Sequence, residues 1–133
     1  MKKIEIFSYE IGKGKVAEYV EMMERRYKEV HQEYMDYQNA IFDDDPRFNW
    51  FRPDIALKFL RLWRLIMNDA DPRDRNLTLA YLAYDANYDL VLDVFNGAGC
   101  GYKNVHSLKV LICAARKNIR ELYEAKYGKE IKL

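Results

Sequence analysis

Apolar residues recur along the first third of the chain at alternating steps of four and three: Val16, Val20, Met23, Tyr27, Val30, Tyr34, Tyr37 and Ile41. That spacing keeps one face of an α-helix apolar over nearly four heptads and predicts a long N-terminal helix. Gly12 and Gly14 precede it, and Asp43-Asp44-Asp45-Pro46 ends it. The stripe is rich in Tyr and Val rather than Leu. A buried tyrosine hydroxyl needs a polar partner or a wet edge, so the pattern fits a seam near the surface of a bundle rather than a dry two-stranded coil.

Three more segments carry the helical period. The second begins at Pro53, suited to a first helical turn. Ile55, Phe59, Leu62 and Ile66 form its expected inner stripe, widened by Leu57, Leu60, Trp63 and Leu65. Asp71-Pro72 then reads as a capping acid followed by a helix-starting proline. The third segment runs from about Pro72 to Phe95 on Leu77, Tyr81, Tyr84, Tyr88, Val91 and Phe95, with a candidate break at Ala86-Asn87. A second apolar face (Leu79, Ala83, Ala86, Leu90, Val94) marks it as central or as a surface for self-association. The fourth spans about Tyr102 to Tyr127 on Val105, Leu108, Ile112, Ala115, Ile119 and Leu122, and stops at Gly128. Lys3 to Ile11 fits a strand or a helical lead-in equally, but a lone strand has no partner here. The expected fold is all-α: a single domain over residues 1–133, a four-helix, mostly antiparallel bundle with a long N-terminal helix and a C-terminal helical hairpin.

Composition narrows the class. A chain of 133 residues that is half apolar can bury its own core without disulfide or metal. The net charge of +1 argues against a dedicated nucleic-acid or membrane-surface protein. Cys100 and Cys113 form no metal-type or redox pair and read as reduced thiols, which together with the missing signal-type or membrane-length apolar run points to the cytoplasm.

Charge is nevertheless unevenly placed. Between Asp69 and Ala98, six acids and two bases leave −4; between Gly99 and Leu133, eight bases and three acids leave +5. The glycine-rich joint Asn96–Gly101 lies between them. The arrangement fits either a basic helix offered to nucleic acid or a hairpin that neutralises itself. Recognition helices place polar N-terminal side chains on base edges and bases on phosphates, which makes Lys103, Asn104, His106 and Lys117 the candidate nucleic-acid residues. The joint is longer than a helix-turn-helix turn, however, and Lys109, Arg116 and Arg120 fall beside the apolar stripe. The expectation is therefore that these three bases face Asp85, Asp89 and Asp93, spaced i, i+4, i+8 on the preceding helix.

Other chemistry is sparse. No nucleophile elbow, phosphate loop or paired zinc-binding histidines occurs. His31 reads as a surface residue, and Cys113 as a packing residue of its helix. No enzymatic activity, cofactor or metal is expected. The proline-bounded connection Arg47-Phe48-Asn49-Trp50-Phe51-Arg52 places three aromatics between two arginines, the residue types that dominate protein–protein hot spots. Arg47, Phe48, Trp50, Phe51 and Arg52 are the candidate partner-binding residues, unless the segment instead plugs the bundle end. The expected function is binding to another protein in a regulatory, inhibitory or adaptor role, with homo-oligomer formation as a related expectation. Nucleic-acid binding through a helix-turn-helix-like segment at about 77–123 is the second reading, and no membrane association is expected.

Overall fold

Short polar side chains and prolines set the helix starts. Asp71 accepts a hydrogen bond from the Arg73 backbone N–H (2.9 Å), Asn87 from that of Leu90 (3.2 Å) and Asn104 from that of Ser107 (2.8 Å). Each satisfies an amide that the first helical turn leaves unpaired, a contribution of about 1 kcal/mol. The structure, a computed structural model, describes residues 14–42, 51–97 and 103–128. It contains helices α1 (Lys15–Phe42), α2 (Pro53–Asn68), α3 (Pro72–Ala83), α4 (Tyr88–Gly97) and α5 (Val105–Tyr127), and no strand among the described residues. The protein is all-α. Residues 3–11, Arg47, Phe48, Trp50 and most of the glycine joint lie outside the described residues.

Among the described residues the helices number five rather than four, because the third segment is two helices. Asp85 and Ala86 take left-handed backbone angles (φ 53 and 64°), which non-glycine residues adopt only at some cost. Asn87 then caps a new helix, whose Val91 and Phe95 are fully buried. The break falls at the candidate Ala86-Asn87, although the apolar repeat itself runs on from Leu77 to Phe95.

α1 and α2 run antiparallel, with Tyr37 against Phe51 at one end and Tyr19 edge-on to Trp63 further along. α3 and α5 are likewise antiparallel: Asn118 donates to Asp74 (3.2 Å), and the Arg116 guanidinium lies 4.4 Å from the Tyr81 ring centre. All five helices contribute to one main core. In α3 six consecutive residues, Arg75 to Ala80, are buried, so this helix is enclosed on every side. Leu79 and Ala83 thus belong to the core, whereas Ala86 lies in the exposed turn and Leu90 is 45% exposed. The five residues expected to form a self-association face do not share one.

Two stripes are also re-indexed. In α2 the buried residues are Ala56, Leu60, Trp63, Leu65 and Ile66, while Ile55, expected inside, is 61% exposed. In α5 the stripe ends on Tyr123 rather than Leu122. A straight helix turns once per 3.6 residues and drifts from a strict four-three repeat, so the last inward position slips by one residue.

The expected aspartate ladder is absent. Among the described residues no ion pair joins Asp85, Asp89 or Asp93 to Lys109, Arg116 or Arg120. Asp85 belongs to the turn, so the three aspartates do not share one helix. Lys109 instead lies 5.6 Å from the Tyr88 ring centre, matching the Arg116–Tyr81 contact two turns away. The hairpin is tied in addition at its far end, where Lys126 meets Asp69 (3.0 Å) in an exposed pair that raises the lysine's proton affinity.

Arg75 is wholly buried and donates through Nη1 to the Met67 carbonyl at 3.5 Å. Burial pushes its guanidinium below the ordinary arginine value, partly offset by the Asp71 carboxylate. Two outcomes are expected. Arg75→Ala, which empties core volume and abandons the Met67 carbonyl, should lower stability by about 3 kcal/mol or more in urea denaturation. In double-mutant cycles, Lys109→Gln with Tyr88→Leu should show a coupling of about 0.5–1 kcal/mol, and Lys109→Gln with Asp89→Asn essentially none. The reverse ranking would restore the aspartate ladder.

Candidate partner-binding site

The segment entering α2 is held by its aromatic residue. Phe51 is buried in a second, smaller core with Val30, Ala56 and Leu60, its ring 5.0 Å from that of Tyr37. The plugging role therefore describes Phe51. Its neighbour behaves differently: Arg52 takes an extended backbone ahead of Pro53, makes no side-chain cap hydrogen bond, and is exposed. Pro53 fixes the first helical turn, and two residues later Ile55 projects from it.

These residues line a groove of about 400 Å³ between α1 and α2. Val30, Phe51, Ala56 and Phe59 form its apolar wall, Ile55 stands in it largely exposed, and Arg26, Arg52 and Glu33 border it. Arg26 also approaches Glu29 at 3.9 Å, an exposed pair worth little. The border carries two cations and one anion, so an apolar side chain flanked by a carboxylate matches it better than one flanked by a base. Ile55 and the α1 charges were hidden to sequence reading because the four-three pattern assigned Ile55 to the interior. Its exposed placement beside Arg52 is the feature that turns a packed loop end into a surface.

The nucleic-acid candidates are differently placed. Lys103, Asn104, His106 and Lys117 are all exposed. The Asn104 side-chain oxygen is occupied by the Ser107 amide, so it acts first as a helix cap. His106 and Lys117 share a helical face with Val110 (54% exposed), Cys113, Glu121 and, partly buried, Glu124. That face alternates base, apolar residue, thiol and acid, and makes no basic strip. The larger bases Lys109 and Arg116 are drawn onto tyrosine rings. Cys113, expected to pack inside, is exposed.

Elsewhere, His31 stacks on Tyr27 at the surface. Among the described residues no cluster of three His, Cys, Asp or Glu is placed to hold a metal ion, and no helix is long and apolar enough to cross a membrane. In comparisons with known proteins, no family matches the chain, and neither does any curated protein or solved structure.

Proposed function

We propose that this chain is a cytoplasmic, non-enzymatic binding protein that acts through contact with another protein, in a regulatory, inhibitory or adaptor role. The partner seats a large apolar side chain against Ile55 in the α1–α2 groove and sets a carboxylate near Arg26 and Arg52. The observation that carries this reading is Ile55, 61% exposed beside the buried Val30, Phe51 and Ala56 and the half-buried Phe59. A solitary exposed isoleucine is ordinary; one standing in an apolar groove bordered by arginines has the make-up of an anchor site. Arg47, Phe48 and Trp50, from the same proline-bounded segment as Phe51 and Arg52, remain part of this proposed partner-binding set.

A nucleic-acid-binding role is the second reading, supported by the exposed Lys103 and His106 at the start of α5 and Lys117 at its middle. It is the weaker one, since acids share their face and the net charge is near zero.

The test uses the full chain. Proteins retained by immobilised wild type are identified, purified, and titrated against wild type, Ile55→Arg and Leu122→Arg, the last altering an apolar residue, 40% exposed, on another helix. A loss of about tenfold or more for Ile55→Arg, with Leu122→Arg within about twofold, is expected for an anchor residue. Equal affinities for all three would sink the groove as the contact surface. Random duplex DNA bound at low salt, with affinity falling steeply as salt rises, would favour the second reading instead.

A further inference from the structure

A second concavity lies deeper between the helices and has a different chemistry. It measures about 270 Å³ and is bounded by α1, α2, α3 and α5. Phe59, Trp63 and Ile66 from α2, with Tyr19 from α1, give it an almost wholly apolar lining. Leu82, partly exposed, stands at the edge. Trp63 is fixed because its indole N–H donates to Glu24 at 2.7 Å. Burial, reinforced by the Asp85 charge, raises the Tyr19 phenol above its ordinary value.

Two polar side chains, Arg116 and Thr78, interrupt this apolar lining. Arg116 reaches the cavity from α5 with its guanidinium over the face of Tyr81. It is half-buried and makes no ion pair with any described residue. A ring face satisfies the flat side of a guanidinium and leaves its N–H edge free to donate, the edge that takes a carboxylate in a two-point contact. Thr78 is in the same wall; it is buried, and its hydroxyl makes no hydrogen bond among the described residues.

We propose that this cavity binds a small apolar carboxylate, an aryl or medium-chain alkyl acid of about ten to twelve heavy atoms, with its apolar body against Trp63 and Phe59 and its carboxylate on Arg116. The size follows from volume: a dry apolar cavity of about 150 Å³ takes one benzene ring, so this one takes a ring with a short chain. The sign of charge follows from Arg116, the one charged group in the lining, which has no acid of its own. The ligand class follows from the two together: a neutral hydrocarbon would leave the guanidinium unanswered, and a polar anion would leave the aromatic wall empty. The site is separate from the Ile55 groove and does not depend on that reading.

The probes are 4-phenylbutyrate and octanoate, with 4-phenylbutanol as the neutral counterpart, titrated calorimetrically into the full chain. Attachment is located by the shift of the Trp63 indole N–H signal, assigned with Trp50→Phe. Wild type should bind 4-phenylbutyrate with a Kd of about 0.1–1 mM, the range for a ligand of this size, and at least about tenfold more tightly than the alcohol. Arg116→Gln should remove that preference while leaving alcohol binding within about twofold, and Ile55→Arg should leave both unchanged. No binding at 10-fold above that Kd range overturns the proposal. So does equal affinity for acid and alcohol in wild type, a comparison that needs no variant to fold. A Trp63 signal unmoved at saturation also overturns it, because the acid would then sit elsewhere.

Discussion

α3 has no solvent face along its middle, and the rest of the bundle is arranged around that fact. Residues 75–80 are buried in succession, so α1, α4 and α5 must cover it from different directions. A twelve-residue helix has little stability of its own, and enclosure supplies what length cannot. The same enclosure takes polar groups inside. Arg75 finds the Met67 carbonyl at the end of α2, tying the helix to the turn that precedes it. The side chains of Asn76 and Thr78 make no hydrogen bond among the described residues. Each such group costs about 1–3 kcal/mol, which the surrounding apolar burial offsets. Thr78 is the one of the two that borders a cavity.

Around this centre the tyrosines of the seams are covered by cations. Lys15 lies over Tyr84, Arg64 over Tyr27, Arg61 over Tyr127, Lys109 over Tyr88 and Arg116 over Tyr81, each contact joining two different elements. Each contributes about half a kcal/mol where solvent reaches it, yet together they favour one rotation of the helices. They also explain why a basic C-terminal helix is not a basic surface: two of its bases lie on rings, and Lys126 meets both Tyr127 and Asp69.

How far the fold was legible follows from which signals are local. Caps and breakers act within one turn, so Asp71-Pro72, Pro53 and Gly128 mark ends that the structure keeps. The α1 stripe survives because it faces neighbours along its length, with Val16 and Val30 buried and Tyr27, Tyr34 and Tyr37 at the half-wet seam. What periodicity could not show was where the partner helices lie. Ile55 obeys the repeat and is exposed, because α2 is covered on the side of Ala56 and Leu60. The consecutive run Arg75-Asn76-Leu77-Thr78 has no periodicity to read, and its burial is decided by three other helices. Asp89 and Lys109 have the right charges for a ladder, but Tyr88 occupies the position beside the lysine.

The same pair of helices frames both concavities. α1 gives Tyr19 and Met23 to the deeper cavity and, two turns on, Arg26, Val30 and Glu33 to the groove. Phe59 of α2 stands in both walls. The two spaces share that side chain and differ in the rest of their lining. Arg116 and Thr78 join an aromatic wall in the deeper cavity, whereas Arg26, Arg52 and Glu33 border the groove around Ile55. The Glu24–Trp63 hydrogen bond ties α1 to α2 next to the deeper cavity. What each space can accept is therefore set by different polar groups placed on the same two-helix frame.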